Sequence, residues 1–144
     1  MKNENYRSSI TVNVSAKEAF DAICQPTKWW SKTIEGDTKN TNGLFTYHPG
    51  NTWVKFRIAE IIPGRKIVWH VTDCYLPFQE DKTEWKNTDV AFEIEENGKG
   101  TKIKFTHIGL VPQAECYQNC VKGWNQYFNG SLLSFLITGK GQPN

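Results

Sequence analysis

Residues able to do chemistry are few in this chain, and the first is His107. It ends the row Thr101, Ile103, Phe105, His107, which alternates with Lys102, Lys104 and Thr106. Period-two alternation marks a half-buried strand, so an imidazole sits in line with core residues. A buried polar ring needs a partner, either a protein group within the core or the head group of a ligand. Burial disfavours the imidazolium, so the ring is expected to be neutral with a pKa below ~6.5. His48 and His70 are weaker candidates, and His70 should face away from its neighbour Trp69. Glu60 falls on the Val54, Phe56, Ile58 face if that strand is regular, which makes it a candidate buried carboxylate. Cys116 and Cys120 lie four apart on one helix face. A zinc site needs about four ligands, and neither Cys24 nor Cys74 nor a histidine is placed to complete one. No metal and no cofactor is expected. "GKGTK" matches a phosphate loop only in letters, because a hairpin and not a helix follows.

Elements that position these residues follow from pattern. Residues 6–14 alternate as a first strand. Ser15 with Glu18 forms a capping-box pattern opening the helix "AKEAFDAIC", and Pro26 starts a second short helix carrying Trp29 and Trp30. One of these tryptophans should pack on the core and the other close a pocket mouth. Residues 33–42 are polar and read as a loop. Five strands follow at about 43–49, 52–62, 66–74, 88–96 and 101–109, joined by turns such as Pro63-Gly64 and Asn97-Gly98. The longer link from 75 to 87 holds Phe78 and Trp85, the mark of a lid or rim. A long amphipathic helix over about 113–137 presents Tyr117, Cys120, Val121, Trp124, Tyr127 or Phe128, Leu132 and Phe135. The resulting α+β arrangement is a curved antiparallel six-stranded sheet wrapped around the C-terminal helix, within a single domain spanning 1–144.

The order of these elements, with "VSAKEAFDAI", the tryptophan pair, "IAEIIPGRKIVWHV" and "GTKIKFTHIGL", resembles the START-like (SRPBCC, helix-grip) superfamily. Within it the chain is similar to the family of the activator of heat-shock protein 90 ATPase. That resemblance implies a pocket between the sheet and the C-terminal helix, and no invariant catalytic set.

Composition agrees with a small-molecule binder. Among 144 residues, 13% are aromatic, six of them Trp, and the net charge is only +2. Aromatics line pockets as well as cores. Scattered lysines argue against nucleic acid as a partner. No apolar run approaches the ~18 residues of a membrane span, and no signal peptide opens the chain, so a cytoplasmic location without membrane insertion and four reduced cysteines are expected.

A small hydrophobic or aromatic ligand is therefore the expected partner. Its candidate contacts are Trp30 from the second helix, and Phe45, Tyr47, Phe56 and Ile58 from the first hairpin. Trp69, Val71, Phe92, Phe105 and His107 would follow from the central strands. Tyr117, Trp124 and Phe128 would come from the C-terminal helix. Two rivals stand beside this reading. A chaperone-interaction module of the stress response would show an apolar patch on the outer sheet face. A cyclase or hydrolase would place His107 or Glu60 near a second polar group in the pocket. Either way a monomer or weak homodimer is expected.

Overall fold

The computed structural model describes residues 5–144. Seven antiparallel strands form one sheet in the order β1-β7-β6-β5-β4-β3-β2. They are β1 (Tyr6–Val12), β2 (Ile34–Gly36), β3 (Leu44–Tyr47), β4 (Trp53–Ile62), β5 (Lys66–Tyr75), β6 (Asp89–Asn97) and β7 (Gly100–Ile108). Six of them sit where alternation placed them. The seventh, β2, lies inside the segment read as a loop. Its three residues are too few to show a period, and pairing of Ile34 with Tyr47 creates it.

Helix α1 (Ala16–Ile23) begins at Ser15, whose Oγ accepts the Glu18 N–H at 3.1 Å while Glu18 Oε1 accepts the Ser15 N–H at 3.3 Å. Both bonds satisfy donors that the first turn leaves open. Ser15→Ala should lower stability by about 1 kcal/mol in urea melts, with the slope unchanged. Helix α2 (Pro26–Trp29) follows at once, with proline in its first turn.

The C-terminal helix is continuous but not uniform. Tyr117–Trp124 (α3) and Leu133–Thr138 (α4) are α-helical, and Asn125–Leu132 between them is π-helical. The expected single α-helix is corrected in that respect. Long π stretches are rare and gather at functional positions. Asn125 and Asn129 in this stretch meet β1: Tyr6 Oη donates to Asn125 Oδ1 at 2.5 Å, and Asn129 Nδ2 donates to Ser8 Oγ at 2.8 Å.

The inner sheet face carries Phe45, Phe56, Ile58, Trp69, Val71, Phe92, Ile103 and Phe105, each at most 2% exposed. Trp124, Phe128 and Leu132 cover it from the helix. On the outer face lie polar and charged groups, including Lys104, whose Nζ meets Glu95 at 2.8 Å, and the imidazole of His70, whose Nδ1 meets Asp89 at 2.7 Å. His70 thus faces away from Trp69, as alternation requires. Glu60 is not buried. A register shift between Ile58 and Glu60 breaks the alternation, and the half-exposed carboxylate pairs with Lys66 at 3.2 Å. Bulges of this kind reverse the face that a side chain takes.

Candidate functional site

Where the helix diverges from the sheet, a cavity of about 90 Å³ is lined by Trp30, Tyr47, Trp85, Cys120, Gly123, Trp124 and Tyr127. Each wall comes from a different part of the chain. Trp30 closes α2 and lies flat on Tyr47 of β3, with centroids 4.4 Å apart, and against Trp124 at 5.0 Å. Trp29, its neighbour, turns inward instead, and its indole N–H donates to Ala22 O at 3.1 Å. Neighbouring helical residues cannot share a direction, so one indole packs and the other lines the cavity.

Trp85 comes from the long β5–β6 connection, and a clasp holds that connection in place. Glu84 accepts the backbone N–H of Glu115 at 2.6 Å and of Cys116 at 3.1 Å. In return Glu115 accepts the N–H of Glu80 at 2.8 Å and of Asp81 at 2.9 Å. Those amide bonds hold the Glu115 carboxyl below its ordinary pKa. The connection is thereby fastened to the start of the C-terminal helix, and Trp85 stacks on Trp124 at 6.0 Å.

His107 lies beneath this wall, fully buried, and both ring nitrogens are engaged. Trp124 Nε1–H donates to Nδ1 at 3.1 Å. An indole nitrogen only donates, so Nδ1 is the acceptor and the proton sits on Nε2, 3.0 Å from Thr88 Oγ1. Thr88 Oγ1 in turn donates to Trp85 O at 2.6 Å. Gly109 permits this approach: at φ +106° it lies so close to Thr88 that a Cβ would stand 2.6 Å from Thr88 Cγ2. Burial pushes the His107 pKa down to about 3. The ring is the neutral imidazole expected, but its partners are Trp124 and Thr88. No ring nitrogen is left to anchor a ligand head group, and His107 does not line the cavity.

Of the expected contacts, the structure brings Trp30, Tyr47 and Trp124 to the cavity. Phe45, Phe56, Ile58, Trp69, Val71, Phe92, Phe105 and Phe128 instead fill the core beneath it. Tyr117 is only partly buried at the outer end of the helix. Alternation identified the right face of each strand, but the inner face is longer than the cavity. Trp85, Cys120, Gly123 and Tyr127 complete the lining; apolar residues in the long connection were the one signal for Trp85. Burial lifts the Tyr47 phenol above its ordinary pKa and keeps it a neutral hydroxyl. Trp69 Nε1, buried behind Trp30, has no hydrogen-bond partner among the described residues.

The cysteines also depart from expectation. Cys116 and Cys120 form a disulfide, with Cα atoms 5.6 Å apart, and only Cys24 and Cys74 are free. The four-residue spacing that puts both cysteines on one helix face also brings two sulfurs within bonding reach. Among the described residues no group of three or more potential metal ligands gathers. None of their helices is long and apolar enough to cross a membrane.

A seven-stranded antiparallel sheet wrapped on a C-terminal helix, with two short helices after the first strand and an aromatic cavity between the layers, is the helix-grip, START-like fold. The family described as activator of Hsp90 ATPase homolog 1-like protein matches residues 13–136, and this chain belongs to it. No curated protein sequence matches the chain. Solved structures share its fold. The Aha1 dimer from Colwellia psychrerythraea superposes with TM-score 0.78 at 20% identity, covering 96% of this chain and 99% of that one. CalU16 from Micromonospora echinospora gives 0.67 at 14% identity, covering 99% and 88%. DynU16, from the dynemicin biosynthetic locus, gives 0.72 at 12% identity over 97% of this chain and 49% of its own.

Proposed function

We propose that this protein binds a small, largely apolar or aromatic molecule in the cavity between the sheet and the C-terminal helix. The observation that carries this is the lining itself: three indoles and two phenols converge on one space with no charged side chain among them. Such walls supply apolar burial and ring stacking, and Tyr47 adds a hydroxyl for orientation. At about 90 Å³ the space is well below the ~300 Å³ or more of drug-sized sites, so the occupant is a compact ring or branched group. The DynU16 fold match, from a biosynthetic locus, agrees with small-molecule handling. A chaperone partner or a homodimer, as the family name and the Colwellia dimer suggest, would dock on a surface. The outer sheet face mixes charged groups with the exposed apolar residues Leu44 and Tyr75, so the aromatic lining of the cavity is the more specific feature.

Titration with a panel of small aromatics, from phenol and indole to naphthol, should quench tryptophan emission saturably. It should also shift the indole N–H resonances of Trp30, Trp85 and Trp124. Tyr127→Ala removes one half-exposed wall and should weaken binding roughly tenfold, about 1.4 kcal/mol, without unfolding the chain. A panel that leaves those resonances unmoved would overturn this reading.

A further inference from the structure

The disulfide is placed unusually for a structural one. It spans four residues at the start of α3, where the Cys120 N–H already bonds to Cys116 O at 2.8 Å. A bridge restrains the unfolded chain less as its loop shortens, so this one contributes less to the fold than a bridge between distant residues would. Its two sulfurs are also unequal. Cys116 is 2% exposed and stands at the helix N-cap position. Its Sγ lies 3.4 Å from Trp85 Nε1, which donates a hydrogen bond to it. Cys120, one turn on, is partly exposed and forms part of the cavity wall with Trp30, Tyr47, Trp85, Trp124 and Tyr127.

From this asymmetry we infer that the Cys116–Cys120 bridge is a thiol–disulfide exchange site, at which a small apolar or aromatic thiol enters the cavity and forms a mixed disulfide with Cys120. The incoming thiol gives its proton to water and attacks Cys120 Sγ as a thiolate. A bond forms between its sulfur and Cys120, and the bond from Cys120 to Cys116 breaks. The electron pair leaves on Cys116 Sγ, so one disulfide replaces another and no outside oxidant is needed. Cys116 is equipped as the leaving group. The Trp85 N–H donates to the departing sulfur, and a thiolate is stabilised at a helix N-terminus. Attack by the Cys116 thiolate on the mixed disulfide reverses the step and releases the thiol. The other two cysteines take no part: both are free thiols that do not line the cavity, and burial lifts the Cys24 thiol to about 11.

The choice of an apolar thiol rests on the proposed reading of the cavity, whereas the direction of attack rests only on the placement of the two sulfurs. The test uses the full chain purified without reductant. It is exposed to 2-phenylethanethiol or to glutathione at equal thiolate concentration, trapped in acid, denatured, alkylated and mapped by peptide mass spectrometry. The expected result is the mixed disulfide on Cys120 and alkylation on Cys116, formed about tenfold faster with 2-phenylethanethiol than with glutathione because the walls are aromatic. Trp85→Phe keeps a ring in the wall but removes the N–H donor, and should slow the reaction several-fold while leaving the bridge intact. Adducts on Cys116, or divided equally between the two cysteines, would overturn the assigned direction of attack. Equal rates for the two thiols would overturn the substrate class. Four free thiols that glutathione disulfide fails to close would overturn the site itself.

Discussion

Between pH 7 and pH 4.5 the protein should lose on the order of 2–3 kcal/mol of stability through His107 alone, and His107→Phe should remove that share. The imidazole is sealed under Trp85 and Trp124, and burial holds its pKa at about 3. The unfolded chain restores the ordinary value near ~6.5. Between those values the unfolded state binds a proton that the folded state refuses. Stability from this source is therefore complete above about pH 6.5 and falls as pH drops, until the folded pKa is reached. At pH 4.5, two units below the ordinary value, each unit costs about 1.36 kcal/mol. Carboxylates such as Glu115 also titrate in acid, but they do so in both proteins. Urea melts of wild type and His107→Phe across this range separate the two contributions. Parallel pH profiles would mean that water reaches the ring and that the sealed network is absent.

Trp124→Ala should cost ~3–5 kcal/mol, the largest single loss among the cavity residues. Its indole touches Phe105 at 4.7 Å, Trp30 at 5.0 Å and Trp85 at 6.0 Å. Its N–H also fixes which nitrogen of His107 is protonated. Removing it therefore leaves both a void and an unpaired buried acceptor. Trp124→Phe divides these effects: most of the ring remains, and a loss of ~1–3 kcal/mol would report the orphaned Nδ1. A loss below ~1 kcal/mol for the alanine variant in denaturant melts would show that the helix does not press this side chain onto the sheet.

Much of this was legible in the chain. Ser15 and Glu18 announce the start of α1 because a capping box is satisfied within four residues. "TKIKFTHI" announces β7 because period two is a property of the extended backbone itself. Trp124 and Phe128 declare the covering face of the helix by their spacing. From such local signals the sheet, the helix that covers it and the superfamily could all be inferred.

Properties that depend on a partner distant in sequence were not legible. Glu60 falls on the inward face only if the strand is regular, and the bulge after Ile58 is decided by pairing with β5. Ile34–Gly36 becomes a strand only because β3 lies beside it. Alternation places His107 in the buried row of β7, but its partners Thr88 and Trp124 lie 19 and 17 residues away. Nothing in "FTHIG" states whether a protein group or a ligand satisfies the ring. The cavity shows the same division. Sequence by itself determined an aromatic layer between sheet and helix, because apolar faces must be buried. Only the tertiary structure decided that most of this layer is solid core and that about 90 Å³ stays open beside Trp30, Trp85 and Cys120. The physical reason is that a cavity is the difference between the space the backbone encloses and the volume its side chains fill, and that difference depends on how rings from separate elements meet.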